Sequence, residues 1–345
     1  MKLALCSDQE NIQIIEKPLP NIGKGEILLK VEICGLCGSD IKKLQRSKPL
    51  QPPQTLGHEV VGKIHQLGEG NFPFQLGDRV VVSHHVPCFQ CHYCIHENYS
   101  MCPKFKKSNL DPGGFSEFLR IPKTHVEYTT FILPAEFPSE KALFTEPLAC
   151  CLRCLNRLPL KENDQVLLVG FGSIGYLLSS LLKRIPTQVI VLDLDESRLK
   201  LAKELGAITL NPKKDSIENL IEIQTKGRGV DVVLFSAGNY SMVNQALSWI
   251  RDGGFLCLFA ELNPNDDHPF NFNECYHREI SLTSSYSPSP KDLKEAHFLI
   301  TNEKLNLSKL PVHQFSLDEL PKAIQKTLNR EIFKAAISPQ KESPL

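Results

Sequence analysis

Residues 165–175 read Gln-Val-Leu-Leu-Val-Gly-Phe-Gly-Ser-Ile-Gly, and this run constrains the fold more than any other stretch of the chain. The apolar segment over 166–169 suits a buried parallel strand, and Ile174, Leu177, Leu178, Leu181 and Leu182 recur at helical spacing after the glycines. Strand, Gly-x-Gly-x-x-Gly turn and helix in this order make a cradle for a dinucleotide. Gly170 permits the sharp turn, Gly172 lets backbone approach a pyrophosphate, and Gly175 lets the helix pack closely on the strand. The first N–H groups of that helix, at Ser173 and Ile174, then face the phosphates, where the helix dipole favours negative charge. Glycines also collect in ordinary strand-to-helix turns, so context decides. A second strand over 188–192 ends at Asp193, 18 residues beyond Gly175. A carboxylate there accepts hydrogen bonds from an adenosine ribose and repels a 2′-phosphate, which points to NAD over NADP. Arg198 pulls the other way, and Asp193 also reads as a cap for the next helix.

The alternation continues with helices over 196–205, 217–224 and 242–250 and strands over 208–210, 230–235 and 255–259, the rhythm of a doubly wound parallel sheet. A length of 345 residues exceeds what one core usually fills. Short β-type runs over 26–33, 59–66, 79–83 and 115–121, separated by Gly, Pro and Asn, describe a second, mostly β domain. Ser287-Pro288-Ser289-Pro290 marks a boundary, beyond which 293–300 and 317–328 have helical periodicity. The tail over 338–345, with two prolines and mixed charge, reads as loosely held.

Lys+Arg and Asp+Glu are both 39, so no net charge draws the chain to nucleic acid or an anionic membrane, and small molecules are the expected partners. Charges interrupt every apolar run near the N-terminus, and the most apolar segment is the βα unit itself. A cytoplasmic location is therefore expected, with the twelve cysteines mostly reduced.

Two groups of those cysteines carry a pattern. The stretch Cys34-Gly-Leu-Cys37-Gly-Ser-Asp40 is followed some twenty residues later by Gly57-His58-Glu59-Val-Val-Gly62. A thiolate, an imidazole and a carboxylate suit a catalytic zinc, which takes three protein ligands and keeps one open position; Cys37 and His58 are the natural pair. Taken singly, His58 reads as a structural histidine and Cys34 with Cys37 as buried thiols or a redox pair. The second group is Cys88-x-x-Cys91-x-x-Cys94 with Cys102 after seven further residues. Four thiolates complete a closed tetrahedral shell, so this reads as a structural zinc that orders a polar loop; disulfides are the alternative. His84, His85, His92 and His96 surround this loop and read as exposed side chains. Cys6, Cys150, Cys151, Cys154, Cys257 and Cys275 read as small core residues.

These motifs, with Gly77-Asp-Arg-Val80 and Glu146-Pro-Leu-Ala149, resemble the zinc-dependent medium-chain dehydrogenase/reductase family, and within it the sorbitol, threonine and related polyol dehydrogenases. The resemblance covers essentially the whole chain. It implies an α/β architecture: a GroES-like, mostly β catalytic domain from residues 1–149 and 288–345, and a doubly wound Rossmann domain for NAD from 150–287. It implies that Cys37 and His58 bind one catalytic Zn2+, that Glu146 occupies the position of a further carboxylate ligand, and that Glu59 coordinates directly or exchanges with water or substrate. A homodimer or homotetramer follows from the same resemblance. Ser39 stands where the family has a hydroxyl that contacts the substrate oxygen and starts a proton relay. Many relatives carry a relay histidine three residues later; this chain has Lys42. The expected activity is hydride transfer from a secondary alcohol of a polyol, sugar or cyclitol to NAD. A threonine-type or general alcohol dehydrogenase shares every motif, and a non-catalytic protein on the same fold is a third reading.

Overall fold

The computed structural model describes residues 1–263 and 269–340, so the end of the tail, 341–345, lies outside the described residues. Two compact units emerge, one from Met1–Ala149 with Pro288–Leu345 and the other from Cys150–Ser287.

The chain lays down β1 (Lys2–Cys6), β2 (Ile12–Glu16), β3 (Ile27–Gly35), β4 (Glu59–Leu67), β5 (Arg79–Val82), β6 (Phe118–Ile121) and β7 (Thr130–Ile132). It then forms β8 (Gln165–Val169), β9 (Gln188–Leu192), β10 (Ile208–Leu210), β11 (Val230–Phe235), β12 (Ile250–Leu258) and β13 (Ser281–Ser284), and ends with β14 (Val312–Phe315) and β15 (Lys334–Ile337).

In the first unit, β1 and β2 form a separate antiparallel hairpin, and a seven-stranded sheet runs β14-β15-β3-β4-β5-β7 with β6 also on β3. β3 is at the centre of this arrangement: apart from Lys30 and Glu32 its residues are buried, and its neighbours bring Val31, Val60, Leu119 and Ala335 into one core. The short 115–121 run divides its labour. Phe118–Ile121 pairs with β3, whereas the Phe115 carbonyl accepts the Ala4 N–H and Ser116 bridges Leu3.

The second unit is a six-stranded sheet in the order β10-β9-β8-β11-β12-β13, parallel throughout. β8 and β11 are buried on both faces and, apart from Gln165 and the ion-paired Asp231, apolar, as strands covered on both sides tend to be. One expectation is corrected here. The helix expected over 242–250 is Tyr240–Gln245 followed by a 3-10 turn, and β12 begins at Ile250, before the two glycines. Ile250 pairs with Val230, and a register shift before Val232 absorbs Gly253 and Gly254 inside the strand.

Candidate active site and metal centres

The ends of β3 and β4 create the first donor cluster. Their antiparallel pairing sets Gly35 opposite Glu59, so the chain leaving β3 toward Cys37 lies beside the chain entering β4 through His58. One donor atom each from Cys37, His58 and Glu59 lies within 4.8 Å of the others. Cys37 is the N-cap of the helix Gly38–Leu44, and Asp40 closes the capping box by accepting the Cys37 N–H at 3.1 Å.

The same Asp40 carboxylate meets His58 Nδ1 at 3.2 Å and accepts the Gly57 N–H at 3.4 Å. A carboxylate on Nδ1 places the proton there and turns Nε2 outward as a lone-pair donor. Burial alone would raise the Asp40 carboxyl, but His58 and Lys43 hold it below the usual range. Burial alone would lower His58, yet Asp40 and Cys37 hold it well above the ordinary histidine value. In the metal-free protein these two groups form a charged, fully enclosed pair.

Glu59 is 1% exposed and pairs with the Lys334 ammonium, which also donates to the Leu36 carbonyl at 3.2 Å. Lys334 arrives on β15, which pairs with β3 at Gly35. A Cβ at Gly35 would overlap Glu59 Oε2, so only glycine leaves room for the pair. Burial opposes the Lys334 charge, but Glu59, Cys37 and Glu146 more than offset it. Glu146 is buried in the first turn of Thr145–Asn156, close enough to act on Lys334 but outside the group within 4.8 Å. Ser39 and Lys42 are exposed on the helix that Cys37 caps. Sequence reasoning misses Asp40 and Lys334. Asp40 has a signal, as an acid three residues after an N-cap; Lys334 carries none.

The four-cysteine group folds as a unit: Cys88, Cys91, Cys94 and Cys102 place their sulfurs within 4.8 Å of one another. The Cys91–Cys94 and Cys88–Cys94 separations are 3.6 and 3.9 Å. These match the edge of about 3.8 Å of a tetrahedron with Zn–S near 2.3 Å, and all four thiols are free. The backbone N–H of Gln90 and then that of Cys91 lower the Cys88 thiol to about 6 and Cys102 is lowered too, while burial pushes Cys94 up to about 12, a proton that a bound metal displaces. The donor set therefore fits zinc. Phe105 joins Cys94 and Cys102 in a small core of their own.

The histidines around this loop correct an expectation. His92 and His96 are exposed, but His84 is 8% exposed and His85 half-buried. The His84 ring packs on His58, and His85 Nδ1 donates to the Ser108 carbonyl, 2.7 Å away. Burial drives His84 well below the usual value and His85 to about 4, so both are neutral.

In the second unit Gly170 adopts φ +89, and a Cβ there would sit 2.8 Å from Ala237 Cβ; one at Gly175 would overlap the Gly170 carbonyl. Gly172 differs: its open side faces only Arg198, whose Nη1 is 3.9 Å from a Cβ position. The helix Ser173–Leu182 starts there with no side-chain cap, leaving its first N–H groups for an anion. The cradle fits a dinucleotide pyrophosphate. Asp193 accepts the Phe171 N–H at 2.6 Å and the Asp195 N–H at 3.0 Å, so it braces the turn. The helix Glu196–Glu204 is capped by Asp195, which leaves Asp193 outside that role.

Residues 23–130 match the alcohol dehydrogenase GroES-like domain, and 173–302 match the zinc-binding dehydrogenase domain. The chain is 33% identical over 332 residues to a sorbitol dehydrogenase of Halalkalibacterium halodurans, covering 94% of each. A zinc-binding dehydrogenase from Sinorhizobium meliloti bound to NADP superposes with a TM-score of 0.86 at 25% identity, over 98% of this chain and 100% of that one. Galactitol-1-phosphate dehydrogenase from Escherichia coli gives 0.84 at 26%, with coverage of 98% and 100%. Paired domain matches in order, a relative aligned along nearly its full length and the two folds described above have one meaning: this chain belongs to the zinc-type medium-chain alcohol dehydrogenase family, NAD(P)-using oxidoreductases of CH–OH donors.

Proposed function

We propose that the protein oxidises a secondary alcohol of a polyol or related sugar alcohol, with NAD preferred over NADP, and that it works as a homo-oligomer. The observation that carries this reading is the convergence of Cys37, His58 and Glu59, with His58 Nδ1 committed to Asp40. When bound, zinc supplies a Lewis acid for the alcohol oxygen and NAD(P) the hydride acceptor.

Cys37 and His58 hold the catalytic metal together with a carboxylate, for which Glu59 and Glu146 are the two candidates around Lys334. Asp40 fixes the His58 ring and the Cys37 backbone with one buried group, so both ligands keep their direction as substrate enters and leaves. Lys334 gives the enclosed Glu59 carboxylate a cation partner where no water can reach it. Ser39 accepts a hydrogen bond from the substrate hydroxyl and relays its proton, passing on its own hydroxyl proton as the substrate's arrives. Because Ser39 and Lys42 are three residues apart on one helix and both are exposed, the proton reaches solvent along that face without a relay histidine. Cys88, Cys91, Cys94 and Cys102 hold a second, structural zinc.

For the cofactor, the Gly170, Gly172 and Gly175 turn with the N–H groups of Ser173 and Ile174 receives the pyrophosphate. Arg198, beside the open face of Gly172, supports those phosphates, while the braced Asp193 carboxylate receives the ribose and disfavours a 2′-phosphate. The relatives include a sorbitol dehydrogenase and a galactitol-1-phosphate dehydrogenase, which support a polyhydroxylated substrate.

The test is NAD(P)H formation with polyols, cyclitols, sugar alcohol phosphates, simple alcohols and threonine, with metal content measured in parallel. Turnover of a polyol that disappears in Cys37→Ala along with one zinc per chain supports the reading. Turnover of threonine alone replaces the substrate class, and two bound zinc ions without turnover on any alcohol overturn the enzymatic reading.

A further inference from the structure

A line of four rings connects the two donor clusters. His58 packs on His84 with centroids 4.5 Å apart and planes at 41°; His84 packs on His85 at 3.7 Å and 39°; His85 packs on Phe105 at 4.8 Å and 44°. The first ring belongs to the catalytic cluster, and the last is the apolar centre of the four-cysteine loop, where Phe105 packs with Cys94 and Cys102.

Hydrogen bonds hold the backbone of one inner residue, His84, and the ring of the other, His85. His125 Nε2 lies 2.9 Å from the His84 carbonyl, and His85 Nδ1 meets the Ser108 carbonyl. The Ser108 hydroxyl is 2.8 Å from both the Val86 N–H, whose hydrogen bond it accepts, and the Phe105 carbonyl, to which it donates. Ser108 is therefore a clip between the segment that carries the histidines and the helix Pro103–Lys107 that leaves Cys102. Flat rings in a close-packed interior cannot shift singly, because each fills the space its neighbour leaves.

We propose that this ring line makes His85 a positioning residue that couples the two metal centres, so that an ordered four-cysteine loop holds His58 in the direction required to bind the catalytic metal. The proposal rests on the reading of both clusters as metal sites. The coupling is reciprocal: a filled catalytic site tightens the four-cysteine loop by the same factor.

The experiment uses Co2+ introduced at the catalytic site of the full protein with the four-cysteine zinc retained. Affinity is read by chelator competition and ligand geometry by the visible absorption of the cobalt centre, in wild type, His85→Ala, His85→Phe and Phe105→Leu. Cutting the line with His85→Ala is expected to weaken cobalt binding about tenfold and alter its spectrum while one zinc per chain remains on the cysteines. His85→Phe keeps a ring and is expected to recover within about threefold, and Phe105→Leu to fall between them. Equal affinity and unchanged spectra in all four proteins would overturn the coupling and leave the metal sites intact. Equal losses in His85→Ala and His85→Phe would also overturn it, assigning the effect to the Ser108 hydrogen bond. Loss of the metal reading itself has a separate signature: wild type that takes up no cobalt, or takes it up equally in Cys37→Ala. If His85→Ala does not fold, the Phe105→Leu and His85→Phe pair decides by the same criteria.

Discussion

The two donor clusters of the first unit are built on opposite plans. Cys88, Cys91, Cys94 and Cys102 lie within one loop, carry one kind of donor, and need nothing from distant chain except packing. The Cys37, His58 and Glu59 cluster mixes three donor chemistries, draws on two strand ends, and depends on a lysine from the C-terminal strand. A closed, local shell suits a metal that stays in place. An assembled shell with buried charges on its outer side suits one whose remaining position must accept and release substrate.

The sharpest way to break this comparison is to remove one donor from each cluster. Cys37→Ala should reduce turnover about 1,000-fold or more while the protein melts cooperatively and keeps one zinc. Cys94→Ser should instead lose its zinc together with the order of the loop, seen as rapid proteolysis between residues 88 and 108. Similar stability losses in both variants would mean that the two sites do not divide catalytic and structural roles.

Next in size is Lys334→Met, which leaves the Glu59 carboxylate enclosed without its cation. Metal-free protein should lose about 3 kcal/mol in urea unfolding, since removal of one partner strands a buried charge. The loss should shrink on metal loading, because an ion near Glu59 restores a positive neighbour. A similar loss with and without metal would detach Lys334 from the catalytic cluster.

Asp40→Asn should weaken metal binding at the catalytic site by about 10- to 100-fold, measured by chelator competition, with the four-cysteine zinc unaffected. The amide keeps the size of the side chain but removes the charge that fixes the His58 proton.

The smallest effect is on pH dependence. His85 falls to about 4 and His84 and His125 are also lowered, each mainly by burial. As pH drops below about 6.5 the unfolded chain takes up protons that the native state refuses, so stability present above that value is lost toward pH 4. His58 has the opposite sign: its raised value stabilises the metal-free fold at low pH, and that contribution is lost as pH rises through its native value. His85→Phe should therefore flatten the acid slope by about 1 kcal/mol per pH unit, measured by urea unfolding of metal-free protein between pH 6.5 and 4; an unchanged slope would mean His85 titrates normally.

The contrast between local and assembled sites also decides which features are legible in the amino-acid sequence. The four-cysteine loop and the glycine turn are legible because their residues lie within a few positions of one another, and spacing alone carries the chemistry. β8 and its helix are likewise plain from apolar runs and helical spacing. β14 and β15 are not: Val312–Phe315 and Lys334–Ile337 are four-residue strands whose pairing partners include β3, far away in the chain, so periodicity has little to register. Lys334 is hidden for that reason. The buried histidines are hidden for another, since a polar loop beside Cys88 suggests exposure, whereas His84 is covered by the His58 ring at the entry to β4 and by His85.

The pairing of Lys334 with Glu59 also sets an order of events during synthesis. Glu59 is made 275 residues before its counter-ion, so a growing chain that has already formed β3 and β4 carries an acid with no lysine to meet it until β15 docks at Gly35. β15 thus completes the first motif: a chain cut before it keeps every proposed zinc ligand yet lacks the cation that partners Glu59. Completion of the charge pair beside the catalytic cluster therefore waits for β15, however early the donors themselves are made.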